Sequence, residues 1–167
     1  MDSQVRVTAI FKCSLERAFK SPMLCDVVKV HTGFGLMPKV THCTDDGEWG
    51  NPGSTKRIHV SKSMMQAGGY ASLDRVIERV ENQYWKIEVS DFQTWMLGFS
   101  RFTGVWKTTE IEANTIRVDY SYTLHSDVAI LQPLNWLFAH LFWKTYMKRV
   151  VENVRQLAYT EDPYLYD

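Results

Sequence analysis

Cysteine is scarce in this sequence, and the three that occur, Cys13, Cys25 and Cys43, form no CxxC pair. An odd number of widely spaced cysteines is typical of reduced, structural thiols and not of a disulfide framework. The first residues contain neither the basic region nor the apolar run of a secretory signal peptide. We therefore expect a cytoplasmic protein.

The sequence has no excess of charge of either sign. It contains 19 lysines and arginines and 19 aspartates and glutamates. The basic residues are spread thinly, which argues against nucleic acid as a partner. The apolar run at 130–143 is too short and too interrupted to span a bilayer. A chain of 167 residues, 45% of them hydrophobic, predicts a single domain over 1–159, followed by a tail at 160–167.

Motifs for common catalytic chemistry are also missing. The glycine-rich loop at 47–53 lacks the Gly-Lys-Ser/Thr ending of a phosphate-binding loop, and no Gly-x-Ser-x-Gly nucleophile elbow occurs. His42 and Cys43 are adjacent on a predicted strand, so their side chains point to opposite faces and cannot bind one metal ion. The sequence therefore predicts no metal and no cofactor.

Alternating apolar and polar residues dominate the chain between two helical regions. A first strand around Val5–Phe11 precedes two predicted short helices, the first capped by Ser14 and the second by Ser21 with Pro22 at its first position. Six strands joined by short turns predict an antiparallel sheet in an α+β fold. With only one long helix to cover it, the sheet should curve around that helix and leave a cavity. The six strands are predicted at 39–44, 54–62, 70–80, 85–89, 99–111 and 116–124, and the helix at 130–159.

The C-terminal helix has two apolar rows. One row recurs at spacings of three and four and predicts the face that packs on the sheet. The other begins with Leu134, Phe138 and Leu141 and turns polar afterwards, whereas a surface helix normally has one apolar stripe. We expect this second row to contact a flap of the same chain, a partner subunit or a membrane surface. The first row contains Trp136, His140, Trp143, Met147, Val150, Val154 and Leu157.

Several segments resemble one superfamily when taken in order. The first strand with its capped helix (Val5–Phe19), the glycine-rich loop and strand (Thr44–Ile58), the hairpin Ile77–Val89 and the strand Phe102–Trp106 resemble the helix-grip superfamily. This superfamily (SRPBCC) includes Bet v 1 allergens, START lipid-transfer domains and polyketide cyclase/dehydratase relatives. The resemblance implies a hydrophobic cavity between the sheet and the final helix. It transfers no catalytic residue to this chain.

A binder of a small hydrophobic ligand, lipid-like or polycyclic, is the principal functional hypothesis. Tyr120 and Tyr122 share the apolar face of the last strand, and their hydroxyls could orient a ligand or simply find partners in the core. A cyclase or dehydratase is the alternative, with His140 and one of these tyrosines moving a proton. The predicted lining comprises Trp85, Phe102, Trp106, Tyr120, Tyr122, Trp136, His140, Trp143 and Met147.

Two further details concern the cavity boundary. Arg57 and His59 share one face of the second predicted strand after the helices, and its alternation with Ile58 and Val60 favours an outward direction for both. An inward direction would place them where an anionic head group could bind. The segment Gly33-Phe34-Gly35, with two glycines around one phenylalanine, is a candidate flap at the cavity mouth.

Overall fold

A seven-stranded antiparallel sheet and a long C-terminal helix form the framework, as expected for an α+β fold. The computed structural model describes residues 1–64 and 66–161. The strand order across the sheet is β1-β7-β6-β5-β4-β3-β2, so only β1 crosses to a strand distant in sequence. The strands are β1 (Asp2–Phe11), β2 (Val40–Asp45), β3 (Thr55–Val60), β4 (Gly69–Val80), β5 (Tyr84–Ser90), β6 (Phe99–Glu112) and β7 (Thr115–Ser126).

The first helix, α1 (Leu15–Leu24), begins at the predicted cap, where the Ser14 hydroxyl accepts a hydrogen bond from the Arg17 amide. The prediction that Pro22 begins a second helix is wrong, because α1 continues through it. The second helix is instead α2 (Val27–Val30), where the Asp26 carboxylate accepts from the Val28 amide.

Pro22 is tolerated inside α1 because a tryptophan replaces the hydrogen bond that it removes. A proline has no amide hydrogen, so the carbonyl four residues earlier loses its helical partner. That carbonyl belongs to Ala18, and it accepts a bond of 3.0 Å from the indole nitrogen of Trp106. Trp85 and Trp49 donate in the same way to the carbonyls of Phe19 and Met23 at 2.8 and 2.9 Å. Two indoles from the sheet and one from the loop between β2 and β3 thus hold α1 in place.

The C-terminal helix is not uniform. A 3₁₀ turn (Ala129–Leu131) leads into α3 (Gln132–Leu137), a π-helical segment (Phe138–Trp143) and α4 (Lys144–Thr160). A π-helical turn contains about one residue more than an α-helical turn, so the residues before it shift by one position relative to a continuous α-helix. The side chains that face the core from α4 include Met147, Val150 and Val154, as the row predicted.

This shift changes the first half of the predicted row. Asn135 and Ala139 are buried there in place of Trp136 and His140. The Trp136 side chain is 55% exposed and stacks on the His140 ring at 4.4 Å. His140 Nδ1 lies 2.9 Å from the Trp136 carbonyl oxygen. The sequence-based assignment of both residues to the inner face was therefore wrong.

Candidate functional site

A cavity of about 300 Å³ lies between the sheet and the C-terminal helix. Most of its wall is apolar, and aromatic rings from β5, β6, β7 and α4 contribute much of it. Trp136 and His140, which the sequence placed in the lining, do not take part in it. Of the predicted lining residues, the wall contains Trp85, Phe102, Trp106, Tyr120, Tyr122, Trp143 and Met147.

Phe138 also faces the cavity, contrary to its predicted place in the outer row of the helix. Its ring lies 5.7 Å from that of Phe99 and 5.2 Å from that of Phe142. Phe142 in turn contacts Phe34, at 5.5 Å between ring centroids, so the 33–35 segment packs against the wall. The other two members of the outer row, Leu134 and Leu141, are exposed.

The centre of the aromatic wall is the ring of Tyr122. It makes edge contacts with Tyr120 at 5.2 Å and with Trp143 at 5.4 Å, and Trp143 makes another with Phe102 at 4.8 Å. Edge-to-face contacts of this kind stabilise aromatic pairs beyond simple burial. Directly across from Tyr122 on the neighbouring strand stands Gly104, which leaves the space that this ring occupies.

Gly104→Ala should therefore displace Tyr122. A Cβ at this position would lie 2.8 Å from Cζ of that ring. The backbone of Gly104 has no positive φ, so the clash would be the principal cost. We expect a loss of about 1 to 3 kcal/mol in the free energy of unfolding, measured by chemical denaturation. In a Tyr122→Leu background the same substitution should cost much less, and an equal loss in both backgrounds would contradict this account.

An ionisable pair, with Lys56 buried and Asp74 partly buried, forms the polar part of the cavity. Lys56 on β3 and Asp74 on β4 are directly paired across the two strands, and both line the cavity. Lys56 is only 2% exposed, with its ammonium 4.1 Å from the centre of the Trp49 ring. Burial lowers the pKa of Lys56, because removal from water disfavours the charged form.

Asp74 is the more strongly perturbed of the two. Burial raises the pKa of its carboxyl to about 7, against a smaller opposite effect of the Lys56 charge. Its Oδ1 atom is buried and has no hydrogen-bond partner among the described residues. A buried oxygen without a partner is unfavourable and would gain from a hydrogen-bond donor in the cavity.

Four neutral groups complete this polar region. His31 Nδ1 lies 2.6 Å from the hydroxyl oxygen of Tyr146. Burial, with a smaller effect of the Lys56 charge, lowers the pKa of His31 to about 4, so its ring is neutral near pH 7. Burial is also the main cause that raises the pKa of the hydroxyls of Tyr120, Tyr122 and Tyr146, which therefore stay protonated. The Asp74 carboxyl contributes to all three tyrosine shifts, so these groups converge on one region.

Sequence reasoning missed His31, Lys56, Asp74 and Tyr146. The signal for Lys56 was present, because alternation along β3 places it on the same face as Ile58 and Val60. Arg57 and His59 lie on the other face, as the alternation favoured, and the His59 ring stacks on His42 at 4.3 Å.

The cavity holds no arrangement suited to a metal ion. Across residues 1–64 and 66–161, no three His, Cys, Asp or Glu side chains come together closely enough to form such a site. In the same part of the chain, no helix is long and apolar enough to cross a membrane.

Comparison with solved structures identifies the architecture. The structure of Ara h 8.0201 is similar with a TM-score of 0.72 at 12% identity, over 96% of this chain and 100% of that one. The chain has the helix-grip fold. The likeness confirms the fold that the sequence motifs implied. No protein-family model and no curated protein matches the sequence.

Two other solved structures share the helix-grip fold with this chain. Norcoclaurine synthase from Thalictrum flavum, in complex with dopamine and hydroxybenzaldehyde, has a TM-score of 0.70 at 8% identity, over 97% of this chain and 89% of that one. A protein of unknown function from Staphylococcus aureus has a TM-score of 0.71 at 13% identity, over 96% and 95% of the two chains. At these identities the likeness concerns the fold.

Proposed function

We propose that the protein binds a small hydrophobic molecule with one polar group. The observation that carries this proposal is the cavity, an apolar enclosure whose ionisable groups converge in one region. A volume of about 300 Å³ falls at the lower end of the range for small-molecule sites. Each 100 Å² of apolar ligand surface buried there would contribute about 2.5 kcal/mol before ordering costs.

The polar group of the ligand would lie near Lys56 and Asp74. Near pH 7 the Asp74 carboxyl is close to half protonated, so it can accept or donate a hydrogen bond. The ammonium of Lys56 can neutralise an anionic group on the ligand. Ligands that fit are hydrophobic molecules ending in a carboxylate, carbonyl or hydroxyl group.

The free thiols at Cys13, Cys25 and Cys43 support the cytoplasmic location that we propose.

Two fluorescent probes that differ in one group test this placement. Anilinonaphthalene sulfonate carries an anion that its uncharged analogue phenylnaphthylamine lacks. Lys56→Met should weaken binding of the sulfonate about tenfold, since a bond to a charged group in a buried site is lost. It should leave binding of the uncharged analogue nearly unchanged, as measured by fluorescence titration.

The matched control is Lys62→Met, because Lys62 is exposed. This variant should bind both probes like the wild type. If Lys56→Met weakened the binding of both probes, or of neither, the assignment of the anion to Lys56 would be contradicted. Native mass spectrometry of freshly purified protein then tests whether a natural ligand of the expected chemistry remains bound.

An enzyme that uses the same cavity is the second candidate. The observation in its favour is Asp74, whose pKa of about 7 suits a general acid or base at neutral pH. The His31–Tyr146 pair, and not His140, would be its neighbour. Norcoclaurine synthase shows by its name that this fold can accommodate catalysis. Once a ligand is identified, Asp74→Asn should keep its binding and abolish its conversion, whereas equal turnover in both proteins would exclude this role.

A further inference from the structure

The mouth of the cavity is surrounded by exposed apolar side chains. Leu36 and Trp95 line the cavity and are also exposed, the latter by 64%, so they mark its opening. Met64, next to the lining residue Ser63, is 97% exposed. Ile130 and Leu141 extend this surface along the start of the C-terminal helix. We call the segments 34–37, 62–64, 93–98 and 128–141 the rim.

Contacts at or next to their ends connect three of the four rim segments, 34–37, 93–98 and 128–141. The Phe34 ring packs against Phe142, the residue after Leu141. On the other side of the mouth, a Cβ added to Gly98 would lie 2.8 Å from Val128 Cγ2, so the 93–98 segment touches the beginning of the helical region. Other large exposed apolar residues, such as Ile77 and Ile111, occur singly on the strands.

Charge is distributed unevenly around the rim. None of the 19 acidic residues falls within 31–44, 61–73, 92–100 or 128–151. The basic residues in these segments include Lys39, Lys62 and Lys148, all exposed. Asp91 and Asp127 stand just outside these segments, and the Tyr70 hydroxyl donates a hydrogen bond to the Asp91 carboxylate. The rim of this protein without net charge is thus apolar and free of acidic residues, with Lys62 inside it and Lys39 and Lys148 in neighbouring segments.

We propose that the rim docks on an anionic lipid bilayer, with Trp95, Ile130 and Leu141 entering the interfacial layer. Apolar and aromatic side chains bordered by lysines match such a surface in both polarity and charge. A second copy of this chain fits less well. In a twofold dimer the same patch meets itself, so Lys62 and the lysines that flank the rim would enter an interface in which the rim offers no acidic residue to pair with them. This extends beyond the proposed cavity function, because docking needs no bound ligand.

Vesicle sedimentation tests the proposal directly. The full chain should sediment with phosphatidylcholine vesicles that contain about one third phosphatidylglycerol and bind pure phosphatidylcholine at least about fivefold more weakly. Trp95→Glu should reduce the bound fraction about tenfold, because it replaces an interfacial ring with a negative charge that the anionic lipid headgroups repel. Lys62→Glu should reduce binding to the anionic vesicles by a similar factor, and high salt should weaken it.

Ile111→Glu is the matched control, since Ile111 is 50% exposed at the opposite end of β6 from the rim. It should sediment like the wild type. Equal binding to both vesicle types, no binding to either, or an equal loss in Ile111→Glu would overturn the proposal. A dimer in analytical ultracentrifugation that Trp95→Glu dissolves would overturn it in favour of a second copy. The uncharged probe of the cavity, measured on Lys62→Glu, reports separately on the proposed ligand site, because Lys62 does not line the cavity.

Discussion

Trp85→Ala should lower the free energy of unfolding by about 3 to 5 kcal/mol, the largest loss expected for a single side chain in this protein. The Trp85 indole is only 1% exposed and stacks on Phe19 at 5.1 Å. Its nitrogen donates to the Phe19 carbonyl, and the Arg79 guanidinium lies 4.6 Å from its ring centre. Truncation would enlarge the cavity that this ring lines and remove one of the three indoles that hold α1 in place.

Chemical denaturation of the variant against the wild type provides the measurement. Trp95→Ala is the matched control, because it removes the same side chain from an exposed position and should change stability by less than about 0.5 kcal/mol. Similar losses for the two variants would contradict the view that α1 is held by buried indoles. Trp85→Phe should fall between them, since it keeps part of the ring but cannot donate to Phe19.

Asp74→Asn should stabilise the protein at high pH and not at low pH. The pKa of Asp74 is raised from its ordinary value of 3.8 to about 7, so the folded state holds this proton more tightly than the unfolded state. Between those two pH values the wild type therefore loses stability as pH rises. Above pH 7 the folded protein bears the full free-energy cost of keeping the Asp74 carboxylate ionised. An asparagine side chain has nearly the same shape as the aspartate side chain but has no charge. The expected gain is roughly 2 to 4 kcal/mol above pH 7, vanishing near pH 4.

Thermal unfolding of both proteins across pH 4 to 8 measures this difference. The attraction of the Lys56 charge is already included, because it opposes the rise in the pKa of Asp74. Asp127→Asn changes an exposed carboxylate and should follow the wild type at every pH. A constant offset between Asp74→Asn and the wild type would show that the carboxyl does not titrate in this range.

The strands could be predicted from sequence because their signals are local. Ile116, Val118, Tyr120 and Tyr122 alternate with polar residues, and in the structure β7 buries that face. Alternation along β3 likewise separated Ile58 from its outward neighbours. The overall fold followed, because short turns between consecutive strands permit little besides an antiparallel sheet.

The errors arose where distant residues decide local structure. Pro22 was read as the start of a helix, because nothing near it reveals that Trp106 would satisfy the carbonyl of Ala18. The role that we propose for Lys56 depends on its pairing with Asp74 across two strands, and that register cannot be read from either segment alone. Trp136 and His140 were misplaced because a change of helix type leaves no trace in a three- and four-residue repeat.

The π-helical segment divides the final helix into two halves that differ in helical register. Residues after Trp143 keep the spacing that the sheet requires, while those before Phe138 are turned by the one additional residue. Loss of a single codon in this stretch would restore uniform α-helix without turning either half, because the π-helical turn already accommodates the one additional residue. Asn135 would stay buried and Trp136 exposed. Only the full-length sequence wound as uniform α-helix would rotate the first half by about 100° and turn Trp136 toward the sheet. The π-helical turn thus lets the helix contain one more residue without changing which side chains either half presents to the cavity.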